Sequence, residues 1–284
     1  MGHDVFGSLT VSVLRIPYRF LQRLTFEILA AAKLRSAKTR LLHSGAHSRQ
    51  EKLFAEISCR VHPNDFLYAI ASPEEYLTAG VSALHCIDHI LAQSAKHNVR
   101  TILDFACGYG RVSRFLKSRF PGAEITVSDI DSAAVNFCSR TFAARPVISN
   151  LALTDLNLGN KFDLIWCGSL ITHIDEPAAT RLLKLFHDHL SPGGVCIFTT
   201  HGNEAKKFME KYGLTESAQR QVLSQFDECG YGYANYPGRD DMGVSLVSQQ
   251  RMTAIASGAG RWNQTAFIDH GWHNRQDVYA FRVL

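Results

Sequence analysis

Two aspartates close two strand-like runs. Asp104 follows "TIL", Asp129 ends "EITVSD", and the turn "FACGYG" lies between them. Gly108 and Gly110 in that turn let the backbone come close to a ligand. An acid nineteen residues beyond Gly110, at the end of the next strand, can accept hydrogen bonds from both hydroxyls of a ribose. The pattern therefore points to a nucleoside-bearing ligand. A dinucleotide fingerprint requires glycine at position 113, which is Ser113, and no G-x-x-x-x-G-K-[ST] loop for a triphosphate is present. Two histidines complete the set: His173 lies beyond "FDLIWCG" and His201 directly follows "GGVCIFTT". A neutral imidazole at the carboxyl end of a strand is placed to take a proton from a hydroxyl acceptor. Neither histidine has a partner at ligand spacing, so no metal is expected there.

These residues need a scaffold that brings strand ends together. The runs "RTILDFA", "AEITVSDI", "RPVISN", "FDLIWCG" and "GGVCIFTT" alternate with helix-like "GRVSRFLKSRF", "DSAAVNFCSRTF" and "PAATRLLKLFHDHL". That alternation predicts an α/β protein with a doubly wound, mostly parallel sheet covered by helices on both faces. "QTAFIDHGWHN" and "DVYAFRVL" predict a terminal antiparallel hairpin at the sheet edge. Upstream, apolar Phe20, Leu21, Leu24, Ile28, Ala31 and Ala32 recur at helical spacing among basic residues, with Pro17 at the expected start. A second helix opens at "SPEE", where Ser72 can cap, Pro73 fits the first turn and Glu75 completes a capping box. The expected organisation is an N-terminal helical extension or lid over 1–97 and a ligand-binding domain over 98–284.

The stretch "DFACGYG" resembles the glycine-rich motif of class I S-adenosylmethionine-dependent methyltransferases, an acid followed by G-x-G-x-G, with Ala106 in place of the first glycine. The resemblance, carried by 98–284, implies a Rossmann-like fold of seven strands with an antiparallel final strand, and S-adenosylmethionine as cofactor. It implies that Asp104 and the loop of Ala106, Cys107, Gly108 and Gly110 hold the methionine portion, Asp129 the ribose and Ile130 an adenine face. It further implies that Asn150 and Leu151 border the adenine edge, and that Cys167 and Gly168 line the same cleft. The expected reaction is methyl transfer to a small molecule or sugar-type acceptor at oxygen or nitrogen, with His173 or His201 as base. The signatures of amino-methylating DNA enzymes, of cytosine-C5 enzymes and of metal-assisted catechol-type enzymes are missing from the strand ends, so no nucleic acid is expected as partner. Other chemistry on the same cofactor, such as aminopropyl transfer, and an inactive binding protein are the alternatives. In "ECGYGYANYPGRDDMGVS", Tyr231, Tyr233 and Tyr236 either wall an acceptor pocket, with Asp240 and Asp241 binding hydroxyls, or pack a loop onto the sheet.

Charge and composition set the remaining expectations. Residues 1–50 carry eight Lys and Arg against Asp4 and Glu27, more than the whole net charge of +4, so the basic bias belongs to that segment. It suits a lid, a homodimer contact or an anionic membrane surface. Seven cysteines, odd in number and never in a C-x-x-C pair, read as reduced thiols. No apolar run reaches the eighteen residues of a membrane span and no signal-peptide pattern opens the chain, so a cytoplasmic location is expected.

Overall fold

Successive residues of a strand point to opposite faces of its sheet, and the first strand shows what each face meets. In a computed structural model, which describes residues 18–43, 54, 56–94, 96, 98–153 and 156–284, β1 (Thr101–Phe105) sends Ile102 into one core cluster and Leu103 and Phe105 into another. The first cluster lies under α3 (Pro73–Gln93), α4 (Ser113–Arg119) and α5 (Ser132–Phe142). The second lies under α6 (Glu176–His189) and α8 (Gln249–Ala259).

The sheet holds β1, β2 (Glu124–Asp129), β3 (Arg145–Ile148), β4 (Phe162–Cys167), β5 (Leu190–Thr200), β8 (Trp262–Trp272) and β9 (Gln276–Val283). Their spatial order is β3-β2-β1-β4-β5-β9-β8. The first five strands run parallel, whereas β9 pairs antiparallel with β5 and β8. The doubly wound, mostly parallel seven-stranded sheet and its antiparallel terminal hairpin are thus as the alternation and the resemblance led one to expect. The chain reverses direction of winding between β1 and β4, and a crevice opens outside the strand ends at such a reversal.

At the amino end, α1 (Tyr18–His43) occupies the expected helix, while Pro17 lies outside the described residues. Its buried stripe is only partly the expected one: Ala31 is buried, but Leu24 and Ile28 are exposed, at 43% and 60%, and Ala30, Leu34 and Ala37 are buried instead. Small residues on that face let α1 approach α3 closely, and the Ala30 carbonyl accepts the Tyr68 hydroxyl of the short α2 (Phe66–Ile70) at 3.2 Å. The predicted capping box at α3 is present, with Glu75 N–H donating to Ser72 Oγ at 3.2 Å and Ser72 N–H to the Glu75 carboxylate at 2.9 Å. One continuous apolar cluster joins Ala30, Leu34, Tyr76 and Ile87 to Ile102, Trp166 and Ile197, so α1 and α3 share a core with the sheet.

Between β5 and β8 the chain makes an element that strand and helix patterns alone did not separate. A run of 3-10 turns (Asn203–Tyr212) and α7 (Glu216–Cys229) pack on a separate two-stranded antiparallel sheet of β6 (Tyr231–Asn235) and β7 (Gly243–Val247). Met209, Val222, Phe226, Val244 and Leu246 form its own small core. All seven cysteines are free thiols and six are buried. Among the described residues no helix is long and apolar enough to cross a membrane.

Candidate active site

A cavity of about 790 Å³ lies at the carboxyl ends of β1, β2 and β4. The glycine-rich turn contributes Asp104, Ala106, Cys107 and Gly108 to its wall. Asp129, Ile130, Asn150, Leu151, Gly168 and His173 line the rest. Three expected site residues stand elsewhere. Gly110 sits behind the loop, where a Cβ would meet the Phe142 ring at 2.3 Å and where its φ of +77° suits glycine. Cys167 is fully buried in the core under α6, and burial pushes its thiol well up. His201 is 6% exposed, stacks on Tyr212 with ring centroids 4.6 Å apart, and does not line the cavity.

The loop is held by its own acids. Asp129 accepts the Gly108 N–H at 2.8 Å on one oxygen and the Asp131 N–H at 3.0 Å on the other. Each carboxylate oxygen keeps a further lone pair for an incoming hydroxyl. Asp104, 2% exposed, accepts the Ser113 hydroxyl, so the residue that breaks the dinucleotide fingerprint anchors this acid. Burial pushes Asp104 up to about 7. Ala106 takes a left-handed φ of +57°, a region that disfavours any side chain with a Cβ. Glycine there is expected to raise stability by up to about 1 kcal/mol, the left-handed strain of a Cβ less the extra chain entropy of glycine. Thermal unfolding of Ala106→Gly checks this, and a lower Tm would mean that packing of the Ala106 methyl outweighs the strain.

On the opposite wall, His173 closes a short 3-10 turn after β4. Its Nδ1 is 3.1 Å from the Gly243 carbonyl and 3.1 Å from the Tyr236 hydroxyl. A carbonyl only accepts, so Nδ1 carries the proton and Nε2 keeps a lone pair. Burial lowers the His173 pKa, so the ring is neutral around pH 7. Tyr233, Asn235, Asp240 and Asp241 line the cavity beside it, which makes the β6–β7 element a wall of the pocket. Tyr231, by contrast, donates to the Ile174 carbonyl at 2.9 Å and is a packing residue.

The sequence reading missed Arg111, Arg181 and Trp272 as lining residues. Arg111 follows Gly110 directly, and its guanidinium lies 5.3 Å from the Trp272 ring centroid. The contact crosses from the glycine-rich turn to the terminal hairpin, so only the folded register reveals it. Asp175, whose carboxylate accepts the Ala178 N–H at 2.8 Å, caps α6 and also borders the cavity.

Residues 103–196 match a family described as a methyltransferase domain. A ribosomal RNA small subunit methyltransferase C of Pseudomonas aeruginosa is 32% identical over 101 residues, covering 33% of this chain and 30% of that protein. The matched stretch thus spans under a third of that relative's length. A malonyl-[acyl-carrier protein] O-methyltransferase of Priestia megaterium is 25% identical over 177 residues, covering 62% and 61% of the two chains. Among solved structures, the PH0226 protein of Pyrococcus horikoshii has a TM-score of 0.53 at 15% identity, covering 77% of this chain and 98% of that one. The expectation that nucleic acid plays no part is corrected by the ribosomal RNA relative, because absent DNA-base signatures do not speak to RNA. The match over 103–196, the strand order and the acid-flanked glycine-rich turn agree on one conclusion: residues 103–196 are similar to a methyltransferase domain, and they sit in a sheet with the fold of S-adenosylmethionine-dependent methyltransferases.

Proposed function

We propose that the cavity binds S-adenosylmethionine and that the chain transfers its methyl group to a hydroxyl of a small, sugar-type acceptor. The observation that carries this reading is that Asp129 and His173 face one cavity, from strand ends on either side of the winding reversal. The residues fit the cofactor. A Cβ built on Gly108 meets nothing within 4 Å, so the loop opens onto free space. The wall also carries Asp129, Asp175 and Asp240 against Arg111 and Arg181, while Asp241 is held by Arg239 and burial raises Asp104 to about 7, a balance that admits a cationic ligand.

The bound cofactor supplies an activated methyl on a positively charged sulfur. The chain does the rest. Asp129 accepts the ribose hydroxyls, and Asp104 with the loop backbone receives the amino-acid end. Asn235, Asp240 and Asp241 orient acceptor hydroxyls on the β6–β7 wall. His173 takes the proton of the reacting hydroxyl at Nε2, with its tautomer set by the Gly243 carbonyl.

Calorimetry with S-adenosylmethionine tests the first half. Asp129→Ala is expected to weaken binding at least about tenfold, since each charge-assisted hydrogen bond is worth roughly 1.5–3 kcal/mol. Unchanged affinity in a folded variant removes Asp129 from the site. A screen of polyols, amino sugars and RNA fragments, read by release of S-adenosylhomocysteine, tests the second half. Methylation confined to RNA overturns the small-acceptor reading. Release of methylthioadenosine instead marks aminopropyl-type chemistry, and cofactor binding without turnover of any acceptor marks a binding protein.

A further inference from the structure

The tip of the β8–β9 hairpin gathers three side chains that the cavity does not use. Asp269 and His270 near the end of β8 and Asp277 at the start of β9 each place one ligand atom within 4.8 Å of the others. None of them lines the methyl-transfer cavity. Asp277 is 4% exposed. Its Oδ1 accepts the His270 N–H at 3.0 Å, and no donor among the described residues reaches Oδ2. His270 places Nδ1 3.3 Å from Asp269 Oδ2, and its Nε2 is buried without a hydrogen bond, the nearest charge being Glu204 Oε2 at 3.8 Å. Two more orphaned atoms flank the acid, Thr200 Oγ1 on the residue in register with Asp277 and Tyr279 Oη two residues along β9. Buried polar atoms are ordinarily satisfied, so several orphans around one buried carboxylate indicate that something polar belongs there.

We propose that Asp269, His270 and Asp277 bind a divalent cation of the first transition series, with Mn²⁺ and Zn²⁺ the best matches. One imidazole with two carboxylates, and no thiolate, is a donor set for those ions. Donors around such an ion stand roughly 3.4 Å apart in tetrahedral geometry, so the three side chains need to close by about 1 Å. Glu204 Oε2 is 3.8 Å from His270 Nε2, but Lys207 holds that carboxylate at 2.6 Å, which leaves Glu204 outside the set. Gly202 makes the arrangement possible, because a Cβ there would stand 1.9 Å from Asp277 Oδ2. The ion ties the tip of β8 to the start of β9. Trp272, a wall of the cavity, lies two residues beyond His270, so the role is to fix that wall rather than to act on substrate.

The experiment uses the full chain after chelation, titrated with Mn²⁺ and then Zn²⁺ by calorimetry, with electron paramagnetic resonance following free Mn²⁺ and thermal unfolding read at each endpoint. Stoichiometric binding with a rise in Tm is expected. His270→Gln and Asp277→Asn are each expected to weaken binding by at least about tenfold, while His173→Ala leaves it unchanged. His270→Gln alters a partly exposed side chain, so it keeps the test decisive if Asp277→Asn fails to fold. Substoichiometric binding, or the same affinity in His270→Gln, means ordered water only and overturns the proposal.

Discussion

Replacing His173 by alanine is expected to lower turnover about 10²- to 10⁴-fold, the usual contribution of a general base, with cofactor affinity nearly unchanged. The ring lines the cavity, and the hydrogen bond to Gly243 on β7 orients it. The pH profile separates base catalysis from mere positioning. Burial lowers the His173 pKa below its ordinary value near 6.5. The wild-type rate therefore rises as pH passes through a midpoint below that value and is flat above it. In His173→Ala that limb disappears. A variant with near-normal turnover on an authentic acceptor, or a profile that keeps the same limb, removes His173 as the base. His201 gives the contrast. Burial, with the nearby His173 charge, pulls it down to about 4. Its ring lies under Tyr212, so alanine there is expected to act on stability rather than on the pH profile.

The second large effect belongs to Arg114, which is 1% exposed yet bonds to no carboxylate among the described residues. Its guanidinium donates to the carbonyls of Ser58 at 2.8 Å, Arg60 at 3.2 Å and Gly110 at 3.1 Å, and to the Tyr76 hydroxyl at 3.1 Å. Tyr76 in turn donates to Asp65 at 2.7 Å, so the buried cation reaches its counter-charge through one phenol. Arg114→Ala removes the side-chain donor of three carbonyls and of the Tyr76 hydroxyl, and it leaves the buried Asp65 without its counter-charge. Breaking a buried charge network of this kind costs about 3–5 kcal/mol, which lowers Tm by roughly 10 °C in a chain of this size. Thermal unfolding measures it, and a fall of less than about 2 °C would show that the segment near Ser58 is held by other contacts. Asp65→Asn, which keeps one acceptor for Tyr76, is expected to cost less. The two substitutions are expected not to add, because they break one network.

The central sheet was readable because each of its strands is short, apolar and followed by a turn or a cap. Asp104, Ser72 with Glu75, and Asp175 act where local chemistry places them. Tertiary choices were harder to read. Two faces of α1 satisfy helical spacing, and the one with Ala30 and Ala37 is buried because α2 and α3 approach it closely. "YGYAN" and "GVSLV" form β6 and β7 by pairing only with each other. Glycines at their ends blur the alternation, so the stretch resembled an aromatic loop. His201 illustrates a limit of arguing from strand ends. One residue beyond β5 its carbonyl accepts the Val247 N–H at 2.9 Å, and that bond draws the chain beneath β7 and away from the cleft. The metal-ligand set was invisible because position 277 meets positions 269 and 270 only through hairpin register.

On the proposed reading of His173 as base, its bond to Gly243 couples acceptor choice to chemistry. The β6–β7 element has a core of its own, so substitutions can reshape it without loosening the main sheet. Yet its first β7 carbonyl decides which nitrogen of His173 carries the proton. A lineage that altered this wall to admit a new acceptor while displacing that carbonyl would lose proton transfer at the same step. Descendants with new specificities are therefore expected to vary the exposed turn of Arg239 to Asp241 and to keep the backbone at 243 in place, and any that move it are expected to use acceptors that arrive already deprotonated.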